Sequence, residues 1–303
     1  SQSPSVLENK SSLDLLDIMD SFYNDSDYSN VTYLDYGAAP CHNQYCSVFQ
    51  RVAPAFLAVT CTAATLGTGA LLVALAKWPH AWGWPQSRAL VAQLAVGTGL
   101  FTALLPPVAV GIGQGWWLGA GLCKLTHLLW YWTLFAQGLL VGSSISRTIW
   151  CRWDPRSQRL AVAVWAGALV LALPAALTSS TVAAPEASCI HRSVGVLSPV
   201  YLLHLALCLC LFLLLPAALL VATLAVPQLR AGWKPGICVS WLFFGLWMPY
   251  GVGLAVDFLL HAQLLQPTCG TFEHFDYVLG LCEGLGVLHC CLGPAALLAA
   301  RLC

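Results

Sequence analysis

The chain has 303 residues, of which 58% are hydrophobic and only 9% are charged, and its mean hydropathy is +0.74. Because a soluble domain carries roughly 25% charged residues, this composition excludes a water-soluble globular protein and indicates an integral membrane protein. The formal net charge of zero conceals an uneven distribution. Residues 1–50 contain seven acidic residues and one basic residue, whereas the rest of the chain contains six acidic and twelve basic residues.

The acidic N-terminal segment contains the stretch "DSDYSNVTYLDYG" (25–37), in which three tyrosines lie among aspartates. Such a segment is either a disordered, solvated tail or a surface for a basic partner. Three glycosylation sequons, at Asn9, Asn24 and Asn30, favour an extracellular position. The side chains predicted to contact a basic ligand are Asp25, Asp27, Tyr28, Tyr33, Asp35 and Tyr36.

Seven apolar runs follow, each long enough to cross a bilayer whose core needs about 20 helical residues. The sequence predicts an all-α membrane protein: a disordered tail over 1–50, then a seven-transmembrane helix bundle over 51–303. The spans are predicted near 52–76, 88–111, 120–146, 160–183, 197–226, 236–261 and 274–300. Nine Lys and Arg residues fall on the inner side and four on the outer side if the N-terminus is extracellular. Tryptophans at the loop ends, among them Trp116 and Trp117, are typical of the membrane interface.

The chain contains 14 cysteines, which is too many for one structural role. Five fall on the predicted outer side, where disulfides form, and counting alone does not decide their pairing. One arrangement pairs Cys123 with Cys189 and Cys41 with Cys269, which leaves Cys46 over. The "HCC" run at His289 contains metal-ligating residue types, but buried cysteines usually act as small apolar residues, and we expect no metal site.

Ionisable residues inside spans indicate functional sites. Asp257 and Glu283 lie near the outer ends of spans six and seven, where we expect both to face a cavity open to the outside. An acidic cavity beneath an acidic tail predicts a large, basic, extracellular ligand. The sequence contains no catalytic motif and no internal repeat, so we expect neither an enzyme nor a cofactor, and no nucleic-acid partner.

Three stretches carry a family resemblance: "GLCKL" (121–125), "LFFGLWMPYGVGLAVDFL" (242–259) and "CEGLGVLHCCLGP" (282–294). They resemble the third, sixth and seventh spans of chemokine receptors, a family of class A seven-transmembrane receptors. The resemblance covers nearly all of the chain. It implies an extracellular N-terminus, the Cys123–Cys189 and Cys41–Cys269 disulfides, and chemokines, which are small basic proteins, as ligands.

The sequence departs from the signalling members of this family at the inner motifs. Thr68 and Thr98 replace an Asn and an Asp, Ser146-Arg147-Thr148 replaces Asp-Arg-Tyr, and Gly293-Pro294-Ala295-Ala296-Leu297 replaces Asn-Pro-x-x-Tyr. Only Trp247 and Pro249 of the sixth-span motif are retained. These changes remove the polar network that binds sodium and the tyrosines that stabilise the active state, so we expect no G-protein coupling.

The sequence therefore predicts a plasma-membrane receptor that binds CC and CXC chemokines broadly and scavenges, internalises or transports them, with endosomal recycling. Tyr28, Tyr33 and Tyr36 are predicted sulfation sites because they have acidic neighbours. One alternative is a conventional signalling chemokine receptor with degenerate motifs. Another, from a different class, is a membrane transporter or scaffold. The oligomeric state is left open.

Overall fold

The computed structural model describes residues 46–82, 88–149, 158–182, 188–190, 198–226, 235–262, 264–265 and 268–302. Within these ranges, seven helices are long and apolar enough to cross a membrane, which confirms the predicted seven-transmembrane bundle. We number them as spans 1 to 7. They are Cys46–Lys77, Arg88–Gln114, Gly119–Ile149, Gln158–Thr178, Pro199–Ala225, Pro235–His261, and Cys269–Val287 continued by His289–Leu302.

Short elements complete the described fold. A 3₁₀ turn, Pro79–Ala81, follows span 1. Strand β1, Ser180–Val182, pairs antiparallel with strand β2, Ser188–Ile190, so that Thr181 lies opposite Cys189.

Three predicted boundaries differ from the structure by five residues or more, and one of them is the start of span 7, which is Cys269 rather than residue 274. Span 4 was expected to run over 160–183, but its helix ends at Thr178 and the chain turns into β1. The small polar residues Ser179, Ser180 and Thr181 lie at this change, and the prediction wrongly extended the span through them to residue 183. Span 1 begins at Cys46 rather than near 52, because its first turns contain polar residues that an apolar run excludes. The last five residues of the predicted tail, 46–50, are therefore helical.

Span 3 is the central helix of the bundle. In its most apolar 18-residue window 72% of the residues are buried, against 22% to 39% in the other spans. The large aromatic side chains of the core, including Tyr131 and Phe135 of span 3, pack around this helix. Many side chains along span 3 therefore contribute to the core.

Span 5 is irregular at its centre, where residues Cys210–Leu214 form a π-helical turn between two α-helical segments. Pro216 lacks the N–H that would bond to the carbonyl of Phe212. The backbone N–H of Leu215 bonds instead to the carbonyl of Cys210, five residues earlier. This local adjustment keeps the backbone paired inside hydrocarbon, where an unsatisfied polar group costs several kcal/mol (about 2–7).

The core between spans 5, 6 and 7 is built on Trp247, which is fully buried. Its ring stacks on Phe212 with centroids 5.5 Å apart, and its Nε1 donates to Nδ1 of His289 at 3.2 Å. Gly286 makes this packing possible, because a Cβ at that position would lie 2.5 Å from Cε3 of Trp247.

Replacing Gly286 by alanine should destabilise the bundle, because the indole of Trp247 would have to leave its stack. Overpacking of this kind costs about 1–3 kcal/mol. The measurement is the thermal unfolding midpoint of the purified protein in detergent. The matched control is Gly245→Ala on span 6, where a Cβ would meet nothing within 4 Å, so its midpoint should stay unchanged or rise. Equal midpoints for the two variants would show that Trp247 is not held as described.

Candidate functional site

A cavity of about 360 Å³, the outer cavity, lies between the outer ends of spans 1, 2, 3 and 7, beside β2. Much of its lining is apolar or aromatic, including Phe49, Trp116 and Trp130. The polar side chains in the lining are Gln50, Thr126, His127, Tyr131, Ser188 and Glu283. A concave, mostly apolar site with a few polar groups has the usual character of a binding site.

A disulfide between Cys123 and Cys189 ties β2 to the outer start of span 3. This bond places Ser188 and Cys189 in the wall of the outer cavity. Nδ1 of His127 lies 3.1 Å from the carbonyl oxygen of Cys123 and 3.4 Å from Sγ of Cys189. The two sulfurs and the imidazole are close enough for a metal site, but zinc sites need thiolates, and both sulfurs are bonded to each other.

Lys124 holds the outer end of span 4 against span 3. Its Nζ donates to the carbonyl oxygens of Ser179 at 2.7 Å and Ala176 at 3.3 Å. Ala176 lies in the last helical turn and also accepts from the backbone N–H of Ser179, whereas Ser179 follows the helix. A basic side chain near a helix C-terminus can bond to such carbonyls. Lys124 therefore helps to fix where β1 begins.

Trp116 is a lining residue that the sequence placed in the membrane interface. It is buried, and its Nε1 donates to the carbonyl oxygen of Gly119 at 2.9 Å. Gly111 of span 2 makes room for it, since a Cβ there would lie 2.6 Å from the indole. Its neighbour Trp117 is 70% exposed, so the two tryptophans have different roles although composition treats them alike.

The two predicted intramembrane acids occupy different environments. Glu283 is half-buried and lines the outer cavity, as expected. Asp257 is wholly buried and is not among the lining residues. Its Oδ2 accepts a hydrogen bond from the hydroxyl of Tyr201 on span 5 at 3.2 Å. The expectation that Asp257 faces the cavity is therefore wrong, because its carboxylate is turned between spans 5 and 6.

A column of aromatic side chains continues from the outer cavity toward the centre of the bundle. Tyr131 lies in the cavity lining, and its hydroxyl is 3.1 Å from the hydroxyl of Tyr250. Tyr250 packs edge-on against Trp247 with centroids 5.6 Å apart, and Trp247 donates to His289. These four side chains form a continuous path, and sequence patterns did not single out the two tyrosines.

Below Trp247 lies a smaller cavity of about 50 Å³, the inner cavity. Its lining includes Thr98, Gln137, His289 and Gly293. Oγ1 of Thr98 donates to Oε1 of Gln137 at 3.4 Å. Nε2 of Gln137 and Nε2 of His289 are buried without a hydrogen-bond partner among the described residues. None of these residues is a carboxylate, so the site offers neutral polar groups where a cation would need charge.

The remaining positions of the altered motifs are mostly apolar or bonded to their own helix. Oγ1 of Thr68 is buried and has no hydrogen-bond partner in the part of the chain that the structure describes. Leu297 packs in a small apolar cluster with residues of spans 1 and 2. Oγ of Ser146 donates to the carbonyl oxygen of Ser143 at 3.1 Å. Arg147 and Thr148 belong to the helix of span 3, but the structure does not describe the positions of their side chains.

Several predicted site residues fall outside the described residues. These are the tail residues Asp25, Asp27, Tyr28, Tyr33, Asp35 and Tyr36, the sequon residues Asn9, Asn24 and Asn30, and Cys41. Cys269 begins the helix of span 7 and is disulfide-bonded, whereas its predicted pairing with Cys41 stays a prediction.

Seven spans, a loop after span 4 that is bonded to the start of span 3, and an outer cavity with a carboxylate define a seven-transmembrane receptor of class A type. No protein-family model matches the chain. It is 34% identical to atypical chemokine receptor 1 of Homo sapiens over an aligned length of 314 residues. The matched region covers 99% of this chain and 89% of that protein. The protein of the same name from Papio hamadryas is 33% identical, with the same coverage, and that from Bos taurus is 32% identical over 95% of this chain and 85% of that protein.

The chain therefore belongs to the atypical chemokine receptor 1 family, which confirms the resemblance to chemokine receptors. Three further stretches, "APCH" (39–42), "VAQLAVGTGLF" (91–101) and "VDFLL" (256–260), resemble the same protein, also called the Duffy antigen.

Replacing Tyr201 by phenylalanine should destabilise the protein, because the buried carboxylate of Asp257 loses a hydrogen-bond donor. Leaving a buried polar group short of a partner costs about 1–3 kcal/mol. The measurement is a double-mutant cycle on thermal unfolding with Asp257→Leu, which separates the hydrogen bond from packing. Tyr201→Phe should cost much less when residue 257 is already leucine. An equal cost in both backgrounds would contradict the bond.

Proposed function

We propose that this protein is a cell-surface receptor that captures chemokines and clears or transports them without activating G proteins. The observation that supports it most strongly is the inner end of the bundle. Thr98, which stands where signalling relatives have an aspartate, donates a hydrogen bond to Gln137. Leu297, which stands where they have a tyrosine, is packed in an apolar cluster. The relatives are named atypical chemokine receptor 1, and chemokine capture by this chain is inferred from that family membership.

Activation of a G protein requires that ligand binding favours a second arrangement of the inner face. In the signalling receptors that the sequence resembles, an acid beside the arginine locks that arginine, and two tyrosines stabilise the active inner face. This chain has Ser146, Thr148 and Leu297 at those positions. With these groups absent, a bound chemokine has little to favour the second arrangement, so binding proceeds without coupling.

Chemokine binding is assigned to two regions. The acidic tail would attract the basic chemokine over a distance of about one Debye length, near 8 Å at physiological salt. Sulfate on Tyr28, Tyr33 and Tyr36 would add fixed negative charge there. The chemokine N-terminus would enter the outer cavity, where Glu283 supplies a carboxylate and Tyr131 and Trp130 supply aromatic surface.

Broad binding of CC and CXC chemokines follows from a site dominated by the tail. A flexible acidic segment can adapt to many basic surfaces, although ordering it consumes part of the binding free energy. Capture would lead to internalisation and endosomal recycling from the plasma membrane. We assign no catalytic role, because the relatives are receptors by name and the described cavities contain no catalytic constellation.

The alternative is a conventional signalling chemokine receptor. It is favoured by one observation, the retention of Arg147, Trp247 and Pro249. The proposed function outweighs it because the groups that act together with Arg147 in signalling relatives are replaced.

Deleting residues 1–40 should abolish chemokine binding and uptake, because the negative charge of the chain is concentrated there. The triple change of Tyr28, Tyr33 and Tyr36 to phenylalanine should weaken binding by about tenfold or more, equivalent to about 1.4 kcal/mol. The measurement is equilibrium binding and uptake of labelled CC and CXC chemokines by cells that express equal surface amounts of each variant.

The matched control is Tyr45→Phe, a tyrosine of the same tail with no acidic residue within five positions, which should leave affinity unchanged. Higher salt should weaken binding to the unmodified chain more than to the triple variant. Nanomolar binding by the deletion variant would refute the tail as the main binding surface.

A further inference from the structure

A second outer opening, the lateral cleft, lies between spans 1 and 7 and has a volume of about 580 Å³. Span 1 contributes Val52, Ala53 and Phe56, and span 7 contributes Leu281 and Gly284 to its lining. Nearly all of the lining is apolar; Glu283 is its one ionisable residue. The cleft is large enough for a lipid-sized ligand, since ligand sites typically measure about 300–1,000 Å³.

Two glycines on span 7 face span 1 in different ways. Gly280 and Gly284 are four residues apart, so they lie on the same face of the helix. A Cβ at Gly280 would lie 2.7 Å from Cζ of Phe49, whereas a Cβ at Gly284 would lie 3.7 Å from Cε1 of Phe56. The ring of Phe49 therefore occupies the space beside Gly280, whereas Gly284 would make only an ordinary contact with Phe56 and lies in the lining of the cleft. A longer side chain at Gly284 would project into it.

The cleft meets the bilayer on one side and the outer cavity on the other. At its outward edge, Val52 is 58% exposed and Leu281 is 51% exposed, and in a membrane span such residues face hydrocarbon. Five residues line both the cleft and the outer cavity: Phe49, Val108, Ile112, Trp130 and Glu283. A molecule entering from the bilayer would therefore reach the wall of the outer cavity and the carboxylate of Glu283.

The lining defines the chemistry of the occupant. An apolar wall requires an apolar body, and the carboxylate disfavours an anionic lipid by like-charge repulsion while it can accept a hydrogen bond from a hydroxyl. A rigid body loses fewer rotamers on binding than a flexible acyl chain does. A fused-ring lipid whose single polar group is a hydroxyl meets all three conditions.

We propose that the lateral cleft binds a sterol from the bilayer, with the sterol hydroxyl donating a hydrogen bond to the carboxylate of Glu283. The bound sterol packs against Phe56 and the glycine face of span 7. It also supports Phe49 and Trp130 from behind, so it becomes part of the wall of the outer cavity. This site does not depend on whether the receptor couples to a G protein.

The test uses the 303-residue chain in phosphatidylcholine nanodiscs with a photoreactive cholesterol analogue, followed by mapping of the labelled peptides. We expect label in spans 1 and 7, displaced by excess cholesterol. Gly284→Phe, which fills the cleft, should reduce labelling by about fivefold or more. The matched control is Gly167→Phe on span 4, where a Cβ would meet nothing within 4 Å, and its labelling should be unchanged.

Two further variants test the polar contact and guard against misfolding. Glu283→Leu should reduce labelling, whereas Glu283→Gln, which retains a carbonyl acceptor, should preserve most of it. Ala53→Phe fills the cleft from span 1 and should reduce labelling as Gly284→Phe does. The thermal unfolding midpoint identifies a misfolded variant. If one of the two variants misfolds, the other still tests the proposal. Labelling that is equal in the filled and unfilled proteins, or that excess cholesterol does not displace, would overturn the proposal.

Discussion

The absence of water from the bilayer core is the constraint on which this structure depends. A buried polar group can find a partner only inside the bundle, because hydrocarbon offers none. The constraint explains the π-helical turn before Pro216, where a backbone N–H finds a carbonyl five residues earlier. It also explains why Asp257 is bonded to Tyr201, and why Trp247 is bonded to His289. These contacts hold the helices in one arrangement and so determine where the outer and inner cavities lie.

The two cavities differ in the polar groups that they contain. The outer cavity contains a carboxylate, that of Glu283. The inner cavity contains Thr98, Gln137 and His289, which are polar without a fixed negative charge. Between them stand Tyr131, Tyr250 and Trp247 in continuous contact. The outer end thus holds a carboxylate, while Ser146, Thr148 and Leu297 stand where signalling relatives have an acid and two tyrosines.

The seven spans could be predicted from the sequence because a long apolar run has only one stable form in a bilayer, a helix. The end of span 4 was predicted too late, since the start of β1 depends on its pairing with β2, which the Cys123–Cys189 bond holds. Hydropathy also placed Asp257 and Glu283 together, although a difference in helix rotation puts one between helices and the other in the cavity. Gln137 was missed because the search for functional residues inside spans relied on ionisable side chains, and an amide is uncharged. The lateral cleft was missed because it depends on how spans 1 and 7 pack, which hydropathy does not show.

The central claim is that this receptor binds chemokine without coupling to a G protein. The most direct measurement is G-protein activation in cells that express the chain, using CC and CXC chemokines that have first been shown to bind and are applied at saturating concentration. A signalling chemokine receptor expressed at the same surface density provides the positive control. The account predicts saturable binding and uptake with activation no greater than in untransfected cells. Dose-dependent activation that follows chemokine occupancy would contradict it.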